Sequence, residues 1–177
     1  MKATIGIPEN NLRAIALELN KLLADEFILY AKTRNYHWNV EGSNFMEMHK
    51  FYESQFEQLD EVIDKVAERI RQLGHYAEAR LKDYLELSHL EEQEYTNEQN
   101  SQLKNLLEDH ESIIMNLRKL INLFTDKYKD AGTTDFVTGL IEQHEKMAWF
   151  IRSYMPQVRP AAVGGGNSKV KHKVATF

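Results

Sequence analysis

The chain has 177 residues, 42% hydrophobic and 28% charged, which fits one domain with a sizeable buried core. It contains no cysteine, so disulfide frameworks, thiolate metal sites and thiol nucleophiles are excluded. The net charge is −5, yet residues 156–177 carry Arg159, Lys169, Lys171 and Lys173 and no acid, which leaves −9 on the remainder. An acidic body attracts cations and a basic end attracts anions. No apolar run approaches the roughly 18 residues that cross a membrane. The opening MKATIGIPENNLR lacks the apolar stretch of a secretion signal, so a cytoplasmic location without membrane contact is expected.

The three prolines, at 8, 156 and 160, bracket the apolar pattern and never interrupt it. Pro8 suits the first turn of a helix. Leu12, Ile15, Ala16, Leu19, Leu22, Leu23, Ile28 and Tyr30 then follow the 3.6-residue period to about Asn39. Gly42 breaks this helix, and Asn44 with Glu47 has the spacing of a capping box opening the next. That second helix runs through Phe51, Tyr52, Phe56, Leu59, Val62, Val66 and Ile70 to Gly74. Residues 75–95 are mixed, with Leu81, Tyr84, Leu85 and Leu87 enough for one short helix. Thr96 with Gln99 is a further capping signature, opening a helix that continues through Leu103, Ile113 and Leu120 to Phe124. The last helix is expected from about Thr134 to Met155, with Trp149 in the core.

The fold class is therefore all-α: a four-helix bundle with a short extra helix in the crossover between its second and third long helices. Residues 1–7 form an N-terminal extension, 8–155 the bundle, and 156–177 a flexible basic tail. The triple glycine ahead of KVKHKVATF also fits an engineered extension.

His37, His49, Glu53, Asp64 and Glu68 stand at spacings of 12, 4, 11 and 4, and the last four share one predicted helix. At about 100° per residue those four project within an arc of roughly 100°, on one face. Imidazole with hard carboxylate oxygens suits iron or manganese, with zinc open. From Glu53 to Asp64 the helix climbs about 16 Å, whereas metal–ligand bonds are about 2 Å. One metal therefore cannot reach both ends of the ladder. Either each pair belongs to a separate site, or a second copy supplies the missing half. A two-fold axis through this helix would set Asp64 and Glu68 of one chain against His37, His49 and Glu53 of the other, making two identical sites.

The segment YHWNVEGSNFMEMHKFYESQFEQLDEVIDKVAERIRQLG, from Tyr36 to Gly74, resembles the Dps proteins, the miniferritins named as DNA-binding proteins from starved cells. HWNV, the second histidine, DEVID and AER carry the likeness, which spans residues 8–155. The family commonly has aspartate where Glu53 stands here, one methylene longer. The resemblance implies a ferritin-like fold and a dodecameric shell. It also implies ferroxidase sites at two-fold interfaces, built from His37, His49, Glu53, Asp64 and Glu68 of two subunits. The implied reaction oxidises Fe(II), preferably with hydrogen peroxide, and stores Fe(III) mineral, protecting the cell from oxidative damage.

A large ferritin would instead place Glu-x-x-His on core helices of a single chain. Glu86 with His89 is the one such match and lies in the crossover, while Glu108 with His110 and Glu142 with His144 have the wrong spacing. Trp38 and Tyr36, beside His37, are candidate traps for stray oxidant, with plain packing as the alternative. Asp126, Asp130 and Asp135 stand where the resemblance places an acidic iron-entry pore; loop solubility is the alternative. Met46, Met48, Met115, Met147 and Met155 are read as core filler, and no haem is expected. The alternative function is a nucleoid-compacting, DNA-binding protein that uses Lys169, Lys171 and Lys173 on phosphates.

Overall fold

A computed structural model describes residues 3–155, and within them every regular element is helical. Lys169, Lys171, Lys173 and the rest of the expected tail lie outside the described residues. Four long helices, α1 (Glu9–Asn39), α2 (Phe45–Gln72), α4 (Gln99–Asn122) and α5 (Ala131–Tyr154), form the bundle, and α3 (Leu81–Leu87) sits in the crossover. Helices α1 and α2 pack as one antiparallel hairpin and α4 with α5 as another. Leucines 12, 19, 22, 23 and 29 of α1 meet Leu59, Val62 and Val66 of α2 and Leu103, Leu106 and Leu117 of α4 in one apolar core. No helix of the described residues is long and apolar enough to cross a membrane.

Helix α1 also buries polar side chains, and three of these, Asn20, Asp25 and Lys32, pin the crossover along its length. Asn20 bonds the Tyr76 carbonyl and the Glu78 amide. Asp25 accepts from the Ser88 hydroxyl, the His89 amide and the His89 ring. Lys32 donates to the Glu91 carbonyl at 2.7 Å and to Asp109 of α4 at 2.5 Å. The connection thus travels back beside α1, so that α4 starts near the end of α1 and runs antiparallel to it.

The helix ends depart from expectation in three places. The Asn44–Glu47 capping box is not formed, because the Glu47 carboxylate instead accepts from the Tyr154 hydroxyl of α5 at 3.1 Å. Helix α4 is capped not by Thr96 but by Glu98, whose carboxylate takes the Asn100 and Ser101 amides at 2.9 and 2.6 Å. Helix α5 begins at Ala131 rather than Thr134, because Asp130 caps it through the Thr133 amide. By contrast, Gly74 ends α2 as expected. At φ +86° it closes a turn in which the His75 amide reaches the Ile70 carbonyl, a conformation that glycine adopts without steric cost.

Beyond Asn122 the α4 chain widens into a π turn over Leu123–Lys127, with the Tyr128 amide on the Leu123 carbonyl. Two further expectations are corrected. Trp149 is 57% exposed, because it lies on the solvent side of α5, next to the buried Ala148. Met46 and Met115 are likewise exposed, while Met48 and Met147 fill the core.

The Lys32–Asp109 pair is buried, and burial lifts the Asp109 carboxyl above the ordinary carboxylate range, against the pull of Lys32. Removing one partner strands the other. Lys32→Met is expected to cost about 3–5 kcal/mol in denaturant unfolding, whereas Lys32→Met with Asp109→Leu recovers most of that loss.

Candidate metal centre

His37 closes the last turn of α1, and His49 lies one turn into α2 across the short connection. Their backbones and rings hold each other. His37 Nδ1–H donates to the His49 carbonyl at 2.8 Å, and His49 Nδ1–H donates to the His37 carbonyl at 2.9 Å. The second bond also satisfies a carbonyl that the end of α1 leaves without a helical partner. A neutral imidazole with its proton on Nδ1 keeps its lone pair on Nε2, the ligand form. The rings stack with centroids 3.7 Å apart and planes 23° from parallel. Phe45 lies against His49, and Phe56 meets His37 edge-on. Among the described residues neither Nε2 has a hydrogen-bond partner.

Glu53 stands one turn beyond His49 and is an electrostatic neighbour of both rings. Its carboxylate is engaged by Lys50 at 2.6 Å, and that hydrogen bond holds the carboxyl below its ordinary range. Lys50 was not singled out from the sequence, although a Lys–Glu pair three apart on a helix is a readable signal. A metal that takes Glu53 must displace the ammonium.

The structure therefore brings His37, His49 and Glu53 together and leaves Asp64 and Glu68 apart. Both acids are exposed, farther along the same unbroken α2. Among the described residues no three His, Asp or Glu side chains of one chain converge as a metal site. The donors in one chain amount to two half-sets.

The other candidates divide in the same way. Trp38 is 63% exposed, with the Arg34 guanidinium 5.0 Å from its ring and 4.4 Å from Phe56. Tyr36 is buried in the core, where its hydroxyl accepts from Asn105 of α4 and burial pushes its pKa up. Asp126 and Asp135 are exposed, but Asp130 is only 3% exposed. Asp130 binds the amide and hydroxyl of Thr133 and faces Arg69 of α2 at 3.6 Å, so its charge is used within the chain. Arg69 itself donates to the Thr133 hydroxyl at 2.9 and 3.1 Å. This contact fastens the end of α2, next to Glu68, to the start of α5.

A family model described as a ferritin-like domain matches residues 16–159. An uncharacterised low-temperature-induced protein of Nostoc sp. strain PCC 7120 is 38% identical over 155 residues, 87% of each chain. The DNA protection during starvation protein 2 of Bacillus anthracis is 32% identical over 139 residues, 78% of this chain and 94% of its own. A solved Dps protein from Vibrio cholerae O1, described as a member of a broad superfamily of ferritin-like diiron-carboxylate proteins, superposes with a TM-score of 0.82. It is 27% identical and is matched over 86% of this chain and 96% of its own.

Because Lys50 competes for Glu53 from an exposed position, its removal should leave stability unchanged. Lys50→Met is expected to raise affinity for a divalent probe such as Co(II) by on the order of a few-fold, read by titration calorimetry.

Proposed function

Since this chain belongs to the ferritin-like family and, within it, to the Dps proteins, we propose that it is a ferroxidase and iron-storage cage whose sites are shared between subunits. The reciprocal His37–His49 lock carries this reading, because it presents two free Nε2 lone pairs on a half-set that lacks enough carboxylates. Asp64 and Glu68 of a second copy, related by a two-fold axis across α2, supply the remainder.

The ring geometry also favours two irons. Each lone pair lies in its own ring plane, and the rings stack with centroids 3.7 Å apart and planes 23° from parallel. One ion about 2.1 Å from both nitrogens would sit far out of both planes. Each histidine therefore serves its own ion, in keeping with two-metal sites spaced about 3.5–4 Å. With two Fe(II) bound as substrate, each gives one electron to hydrogen peroxide. The O–O bond breaks, two protons are taken up, and two waters and two Fe(III) result. The three carboxylates of each shared site, as hard oxygen donors, favour the more highly charged ion and so draw the oxidation forward. Because both electrons leave together, no hydroxyl radical is released. Asp126 and Asp135 are the acids left to guide Fe(II) inward, the Fe(III) mineral is held in the cavity, and Trp38 is the exposed ring placed to intercept a stray oxidant. Such a cage works in the cytoplasm.

Protection of DNA is the competing reading, favoured by the name of the Bacillus anthracis relative and the lysines at 169, 171 and 173. It requires electrostatic binding that weakens steeply with salt. A gel shift at two salt concentrations, with and without residues 161–177, separates the two: an intact protein that never retards DNA rules this reading out.

Asp64→Ala is expected to slow rapid peroxide-driven Fe(II) oxidation by at least about a hundredfold while leaving the assembly intact. Unchanged kinetics would remove Asp64 from the site. Native mass should show twelve copies of the 20.7 kDa chain, about 250 kDa, loaded with tens of irons.

A further inference from the structure

The bundle core holds a second group of ionisable side chains that the iron chemistry does not use. Glu26 of α1, His110 of α4 and His144 of α5 are each 0% exposed. Glu26 Oε1 lies 2.9 Å from His144 Nε2, and His144 Nδ1 lies 3.0 Å from His110 Nδ1. The other carboxylate oxygen of Glu26 and Nε2 of His110 have no hydrogen-bond partner. The three groups form a chain rather than a cage, since opposite nitrogens of His144 face its two neighbours.

Counting protons along that chain narrows its charge. Two ring nitrogens at 3.0 Å must share one hydrogen, because two lone pairs or two N–H groups would repel. If His144 carried a proton only on Nε2, the carboxylate of Glu26 would keep a full negative charge in an apolar core, a costly state. If His144 carries both protons, it donates at both ends and cancels that charge. An un-ionised Glu26 would hold the same proton on the other side of the 2.9 Å contact; a ring with N–H on both nitrogens distinguishes the two.

Among the described residues no other buried cation is free to do the work. On α1, Lys32 is bound to Asp109 of α4 and to the Glu91 carbonyl, and Asp25 is held by Ser88 and His89. The buried faces of α2 and α5 contribute no other charged side chain; α2 adds the neutral amide of Gln55 and the hydroxyl of Tyr52, which burial keeps un-ionised. Arg118 of α4 pairs with Glu145 of α5 at the surface.

We propose that the core of each chain binds one proton on His144, held between Glu26 and His110, and that this proton clasps α1, α4 and α5 together. A second proton does not enter. Burial holds His110 well below the ordinary imidazole range, and the charge of His144 adds to the effect. The unfolded chain protonates His110 near pH 6.5, at the ordinary value of about 6.5, while the folded chain does not. That contribution to stability is whole above this pH and is lost as the pH falls, up to tenfold in the folding equilibrium per pH unit.

The test uses the native assembly, labelled with 15N-histidine, sedimented and read by magic-angle-spinning NMR at pH 8.5, where free imidazoles are neutral. One of the seven histidines should carry N–H on both ring nitrogens and lie against a second imidazole. His144→Gln should abolish that signal, and the near-isosteric Glu26→Gln should leave the ring singly protonated. His110→Leu should flatten the acid limb of the unfolding equilibrium by up to tenfold per pH unit. The proposal is overturned if wild-type protein shows only singly protonated rings at pH 8.5, even where every variant fails to assemble. It is equally overturned if one divalent metal per chain is bound and leaves with His144→Gln.

Discussion

A straight α-helix is a ruler, and the length of α2 governs the rest of this molecule. It advances about 1.5 Å per residue, so donors eleven residues apart stay about 16 Å apart however the side chains turn. Helix α2 is unbroken from Phe45 to Gln72, with His49 and Glu53 near one end and Asp64 and Glu68 near the other. No rotamer brings these four onto one ion whose bonds are about 2 Å. On the proposed reading, a chain that carries such a ladder completes its site by pairing with a copy. Self-association then becomes part of the chemistry rather than an addition to it.

The hairpin of α1 and α2 builds each half-set with little freedom left. His37 and His49 come from different helices, and each ring is fixed by the other residue's carbonyl. Preorganisation of this kind fixes the tautomer before any ion arrives, so the two rings need no rearrangement to bind one. At the far end of α2, Arg69 ties the helix to Thr133 at the start of α5. Asp64 and Glu68, the acids proposed to complete a partner's site, therefore stand on a helix anchored at both ends.

What could be read from the sequence was what a single helix displays at fixed pitch. The ladder, the apolar stripes, the break at Gly42 and the stop at Gly74 all belong to that class. Local caps were less legible because distant groups compete for them: Glu47 is taken by Tyr154, 107 residues away, and Asp130 opens α5 early. Trp149 was misplaced because composition cannot say which side of an apolar helix faces water. The Glu26–His144–His110 chain was invisible for a different reason. Its members lie on three helices, and Glu142 with His144 or Glu108 with His110 offers only an i, i+2 spacing, which does not share a helix face. The pinning of the crossover by Asn20, Asp25 and Lys32 was hidden likewise, since polar residues on α1 read as a solvated face until their partners are placed.

Subunit complementation tests the shared site most directly. One variant lacks His37 and His49, the other lacks Asp64 and Glu68, and each assembly alone should be inactive in peroxide-driven Fe(II) oxidation. Dissociated, mixed in equal amounts and reassembled, they should regain about a quarter of wild-type activity, because half of the two-fold pairs are mixed and each mixed pair holds one intact site. Activity that stays at the level of the separate variants in verified mixed assemblies would contradict the account.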